Sequence, residues 1–104
     1  MMDKESHVLK RFLVDFGKNV KKARKKKSLT LEAFGLDCGL TKMQVHRIEK
    51  GYNITLETLL KLSLALNVSL CDLLKSDHSF KPADLENLVN NNKSNKIKRK
   101  SSKG

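Results

Sequence analysis

Apolar positions recur along the chain at steps of three and four. Leu9, Leu13, Phe16, Val20 and Ala23 share one face of a helix over residues 8–26, while Lys10, Arg11, Lys18, Lys21, Lys22 and Lys25 fall mostly on the others. A second pattern then repeats: an apolar residue, a hydroxyl residue, and a large apolar residue four positions later. It occurs as Leu29-Thr30 with Phe34, Leu40-Thr41 with Val45, Ile54-Thr55 with Leu59, and Val68-Ser69 with Leu73. The hydroxyl suits an N-cap, and the flanking apolar pair forms a hydrophobic staple across the first turn. Gln44 three residues after Thr41 completes a capping box, and Asp72 after Ser69 makes an imperfect one. Gly39, Gly51 and Asn67 supply the stops. The pattern therefore predicts helices over residues 8–26, 31–38, 42–50, 56–66 and 70–75.

No segment alternates with period two for long enough to make a strand, and Pro82 is the only proline. The expected fold class is all-α. Residues 83–89 can add one or two helical turns, with Leu85, Leu88 and Val89 on one side. From Asn90 the chain is Asn, Lys and Ser, the composition of a disordered tail. Three parts are expected: a domain over 1–78, a short helix or interface segment over 79–89, and a basic tail over 90–104.

Charge narrows the function. The 104 residues carry 22 Lys plus Arg against 11 Asp plus Glu, a formal net charge of +11. Both regions are basic: +6 over residues 1–78 and +5 over 79–104. Such a field attracts polyanions. A chain this short leaves little room for a cofactor fold and a catalytic cleft. His7, His46 and His78 are scattered without a Cys or Ser at catalytic spacing, so an enzyme is not expected. Cys38 and Cys71 lack metal-ligand spacing; both are read as small core residues, with no metal and no cofactor. No apolar run can span a bilayer, and the N-terminus lacks a signal-peptide pattern, which points to a cytoplasmic, nucleoid-associated protein with no membrane partner.

The segment Leu29 to Gly51, LTLEAFGLDCGLTKMQVHRIEKG, has two helices of about eight residues joined at Cys38-Gly39-Leu40. Ala33 and Gly35 let the second helix approach closely. This segment resembles the lambda-repressor/Cro family of helix-turn-helix proteins, the xenobiotic-response-element type. The residues that carry the resemblance are Arg24, Leu29-Thr30, Glu32, Gly39-Leu40-Thr41, Val45, Arg47 through Gly51, and TLETLLKLSLALNVSLCDLL from Thr55 to Leu74. It covers roughly residues 9–75 and implies a compact five-helix domain, followed here by a short C-terminal extension, that binds operator DNA as a homodimer.

The resemblance also implies roles. Lys42, Met43, His46 and Arg47 sit at the family's base-reading positions; Lys42 and Arg47 can donate to guanine, and Met43 can pack on a thymine methyl. Phosphate contacts are expected from Thr30 and the amide of Leu31 at a helix N-terminus, and from Gln44, Lys50, Tyr52, Asn53, Lys26 and Lys27. Many relatives place Gln at the position of Leu31, so that side-chain contact is missing here. Arg24 and Glu49 match a partly buried structural ion pair. The basic run from Lys21 to Lys27 and the tail cluster Lys96, Lys98, Arg99, Lys100 and Lys103 add nonspecific attraction to DNA.

One monomer reading one groove face makes few base contacts, whereas a two-fold dimer doubles them on a near-palindromic operator. Leu70, Leu74, Phe80, Leu85, Leu88 and Val89 are the candidate interface residues. A sequence-specific regulator of transcription on double-stranded DNA is the leading reading. An antitoxin-like or adaptor protein, whose main role is binding a protein partner, is the alternative. RNA is a weaker target, because the chain has only five aromatic residues and most look like core.

Overall fold

The computed structural model describes residues 7–90. Their order is α1 (His7–Lys26), α2 (Leu31–Cys38), α3 (Lys42–Glu49), α4 (Leu56–Leu66), α5 (Leu70–Leu73), a 3-10 turn (Pro82–Asp84) and α6 (Leu85–Asn90). There is no strand among the described residues. The all-α expectation holds, and no described helix is long and apolar enough to cross a membrane.

All four staples form. Thr30, Thr41, Thr55 and Ser69 are N-caps in extended conformation, and each side-chain oxygen accepts from the backbone N–H three residues on. Phe34, Val45, Leu59 and Leu73 are buried, and Leu29, Leu40, Ile54 and Val68 pack half-buried against the core. Each cap satisfies a donor that the helix itself leaves free, while each staple fixes the angle at which the chain enters. The capping box is complete at Thr41, where Gln44 Oε1 also accepts from the Thr41 N–H at 2.8 Å. Asn67 and Gly39 end α4 and α2 in the left-handed conformation, as expected.

The core gathers Phe16 and Val20 of α1, Phe34 and Cys38 of α2, Val45 and Ile48 of α3, Leu59, Leu62 and Leu66 of α4, and Leu73 of α5. Two backbone approaches are too close for a side chain. A Cβ on Gly35 would meet the Leu40 carbonyl at 2.6 Å, and one on Gly17 would meet the Ile48 and Glu49 carbonyls at 2.7 Å. These contacts seat α3 against α2 and α1.

Four expectations need correction. Cys71 is exposed, not core, because α5 buries only Leu73; Cys38 is buried as expected, and burial pushes its thiol pKa up. Val8, not Leu9, is the buried residue at the start of α1. The cause is the C-terminal extension, which returns so that α6 packs on α1 and Asn87 Oδ1 accepts from the Val8 N–H at 3.1 Å. Helix α5 stops at Leu73 rather than residue 75, where Asn19 Nδ2 donates to the carbonyls of both Leu73 and Lys75 at 2.8 Å. Asn90, expected to begin the tail, is the last residue of α6; residues 91–104 of that tail lie outside the described residues.

Between α5 and α6 the chain is strapped to α1. Asp15 Oδ2 accepts from the Ser76 hydroxyl and from His78 Nδ1, the latter at 2.8 Å. Phe80 meets Phe12 edge to face with centroids 6.0 Å apart, and the Arg11 guanidinium lies 5.9 Å from the Phe80 centroid.

Candidate nucleic-acid interface

Helix α3 divides sharply into two faces. Val45 and Ile48 are buried against the core, whereas Lys42, Met43, His46 and Arg47 are all exposed. Spacings of three and four make this division, since residues 45 and 48 share a side and 42, 43, 46 and 47 do not. The four residues at the expected base-reading positions therefore occupy the accessible surface of one short helix whose inner side is fixed. Met43 is 55% exposed, so it does not belong to the core.

The surrounding residues are held in different ways. Thr30 Oγ1 already accepts from the Ala33 N–H at 3.0 Å, which leaves its own hydroxyl proton to donate. Leu31 is half-buried against the core, so only its backbone N–H can serve an anion. Glu32 is exposed in the same first turn, where its negative charge opposes an incoming phosphate. Gln44 and Asn53 spend a side-chain carbonyl locally, Gln44 on the Thr41 N–H and Asn53 on the Ile54 N–H at 2.9 Å; their amide N–H groups remain as donors. Lys50 caps α3, Lys26 ends α1, and Lys27 follows in the turn; all three are exposed.

Arg24 and Glu49 join α1 to the end of α3. Arg24 Nε donates to Glu49 Oε2 at 2.7 Å, its second terminal nitrogen donates to Oε1 at 3.0 Å, and its first to the Leu29 carbonyl at 2.6 Å. Both side chains are nearly inaccessible. The hydrogen bonds it donates to Glu49 raise the Arg24 pKa above its already high ordinary value, against the opposing effect of burial. One guanidinium thus ties three segments together: α1, the turn before α2, and the C-terminus of α3.

Beyond α3, Gly51 turns the chain with φ 102, and an open notch of about 310 Å³ lies between α3 and the start of α4. Gln44, Arg47, Tyr52, Asn53, Thr55 and Thr58 contribute its polar rim. Thr55 and Thr58 were not singled out from the sequence as site residues; Gly51 reads as a helix stop, but the direction in which its turn carries the chain past α3 is not written in the local pattern. The Arg47 guanidinium lies 6.0 Å from the centroid of the Tyr52 ring.

The candidate interface residues separate. Leu70, Leu74 and Leu85 are exposed. Phe80 is engaged with Phe12 and Arg11, and Leu88 and Val89 are half-buried in α6, which packs on α1. Sequence reasoning missed a larger apolar surface. Leu56, Leu60 and Leu64 follow at four-residue steps on α4 with exposures of 82%, 50% and 71%, and Leu36 on α2 is 81% exposed. The spacing was visible, but the leucines were indistinguishable from core residues without knowing which side of α4 faces inward.

Comparison with known proteins agrees with this architecture. A helix-turn-helix family model matches residues 20–73, more than half of the chain. Among solved structures, the chain is similar to the restriction-modification controller protein C.AhdI from Aeromonas hydrophila, with 34% identity over 59% of this chain and 94% of that one, at a TM-score of 0.57. It is similar to the P22 c2 repressor in complex with a synthetic operator, at 32% identity over 60% and 96% and a TM-score of 0.56. A chain of the SinR/SinI protein complex matches at 26% identity over 85% and 94%, with a TM-score of 0.57. A comparison with curated proteins found no match. The chain belongs to the helix-turn-helix family and is a lambda-repressor-like DNA-binding regulator of transcription, not an enzyme.

Proposed function

We propose that the protein binds a near-palindromic operator in the cytoplasm, at the nucleoid, as a homodimer that inserts α3 of each copy into successive major grooves. The observation that carries this reading is the division of α3: Val45 and Ile48 anchor it, and Lys42, Met43, His46 and Arg47 face outward together. Arg47 and Lys42 donate to guanine edges, His46 donates to a base or phosphate, and Met43 packs on a thymine methyl. The Leu31 N–H, Thr30 and the lysines at the end of α1 hold phosphates, with Gln44, Lys50 and Asn53 beside them.

The second copy is favoured by the leucine row on α4. Soluble monomers rarely leave contiguous apolar patches larger than a few hundred Å² exposed, and a two-fold interface uses one self-complementary patch twice. Leu56, Leu60 and Leu64 on α4, with Leu70 on α5 and Leu74 just after it, supply that patch; Phe80 packs on Phe12 with part of its ring exposed, and Leu88 and Val89 are half-buried in α6. Leu60→Glu should yield a folded monomer by analytical ultracentrifugation.

Selection of bound duplexes from a random pool at physiological salt tests the reading. Recovery of an inverted repeat, with Arg47→Ala weakening binding and relaxing specificity at one position per half-site, supports it. Affinity that merely tracks salt, with no motif recovered, refutes it. The alternative of a partner-binding adaptor takes support from the match to a chain of the SinR/SinI protein complex over 85% of this chain. A stable complex of defined stoichiometry with a different protein, together with no selected motif, would favour that alternative.

A further inference from the structure

The turn that ends α3 brings one side chain back onto another. Arg47 O accepts from the Lys50 N–H at 3.0 Å and from the Tyr52 N–H at 3.1 Å. The second bond requires the positive φ of Gly51, and a Cβ there would press on Val14 Cγ2 at 3.2 Å. The result places the Tyr52 ring, 59% exposed, beside the Arg47 guanidinium at 6.0 Å. A ring so exposed is not there to fill the core. It lines the rim of the notch, at the foot of the surface that carries Lys42, Met43 and His46.

We propose that Tyr52 is a positioning residue for Arg47: its ring is a platform that holds the guanidinium in the orientation from which it reads a base. This rests on the reading of Arg47 as a base contact. Arginine carries large rotamer freedom, and a cation held over an aromatic ring surrenders part of it before DNA arrives. Tyr52 would then contribute to discrimination between sequences through Arg47. Its expected role as a phosphate contact is a different mechanism, because such a contact needs the hydroxyl and carries no sequence information.

The two roles separate experimentally. The full chain is tested on the duplex it selects from a random pool, on that duplex with the base pair read by Arg47 changed, and on a scrambled duplex, over a range of salt. Tyr52→Phe keeps the platform and should retain wild-type discrimination and salt dependence. Tyr52→Ala should weaken binding to the selected duplex by about two- to fivefold, the scale of an exposed cation–π contact, and leave scrambled-duplex binding nearly unchanged. In an Arg47→Ala background, Tyr52→Ala should add no further loss. Thermal melts establish that each variant is folded.

Equal losses in Tyr52→Phe and Tyr52→Ala, of the same size on the selected and the scrambled duplex, would assign the hydroxyl to a phosphate and overturn the proposal. Additive losses in the double variant would overturn it as well, by separating Tyr52 from Arg47 while leaving Arg47 as a base contact. If Arg47→Ala leaves specificity intact, or no duplex is selected, the base-reading assignment fails and the platform fails with it.

Discussion

Replacing Glu49 by leucine should strongly destabilise the domain, and replacing its partner as well should rescue it. In the wild type the Arg24 guanidinium is almost inaccessible and donates twice to Glu49 and once to the Leu29 carbonyl. Glu49→Leu leaves the charge in place with one neutral acceptor. Breaking a buried pair from one side costs roughly 3–5 kcal/mol, because the remaining ion is neither solvated nor paired. Small domains hold about 5–15 kcal/mol in total, so about a fifth or more of the stability would be lost. At about 4–8 °C per kcal/mol for a domain of this size, the melting midpoint should fall by more than 10 °C. Arg24→Met together with Glu49→Leu removes both ions and should recover most of the loss. Recovery stops short by about 1 kcal/mol, since the Leu29 carbonyl also loses its donor. Urea unfolding followed by circular dichroism measures all three variants. A cost below about 1 kcal/mol for Glu49→Leu would mean that the pair behaves like a solvated surface bridge, contrary to its geometry. A double variant no better than the single would show that the charges themselves are needed.

Three further outcomes follow from local geometry. Gly35→Ala should destabilise by about 1–3 kcal/mol, since its Cβ meets the Leu40 carbonyl at 2.6 Å, whereas Gly39→Ala, with no atom within 4 Å but φ 72, should cost only about 1–2 kcal/mol from the left-handed backbone; chemical denaturation compares them, and a crystal structure of Gly35→Ala should show α3 displaced. Ser28 also adopts φ 56 without a glycine's freedom, so Ser28→Gly should raise stability by about 0.5–1 kcal/mol, and a lower melting midpoint would contradict this. Asp15 has its pKa lowered from 3.8, first by the Ser76 hydroxyl and then by His78. A depressed folded-state pKa adds stability above pH 3.8 that disappears as pH falls through the folded value. Asp15→Asn should therefore be less stable than wild type at pH 6, and the gap should narrow below pH 4; a constant gap across that range would exclude the linkage.

Elements written in local chemistry were legible in the sequence. The four staples depend on residues at most five apart, and each formed with its hydroxyl cap and its apolar pair. The outward face of α3 was legible too, because residues 45 and 48 fix the inner side through helical geometry alone. What escaped was decided by contacts between distant segments. Gly17 carries no local signal of its role, yet it is where the C-terminal carbonyls of α3 cross α1. Val8 and Leu9 differ by one step on that helix, and only the return of α6 selects Val8 for burial. Cys71 and the α4 leucines share the composition of core residues. Whether they are covered depends on a neighbour that one chain does not supply.

Stability and recognition therefore occupy different residues of α3, which gives binding defects an interpretable cause. Lys42, His46 and Arg47 are exposed, and no hydrogen bond from their side chains holds another segment of the described fold. Substitutions there should change stability by no more than about 0.5 kcal/mol. Glu49, two residues after Arg47, is nearly inaccessible and joined to α1. A variant that loses DNA binding while its melting midpoint stays fixed has lost a contact. One that loses both has lost the placement of α3. Arg47→Ala and Glu49→Leu should fall on opposite sides of that line. If Arg47→Ala lowered the midpoint as much as Glu49→Leu does, Arg47 would belong to the scaffold, and the division of α3 into an anchoring and a reading face would not hold.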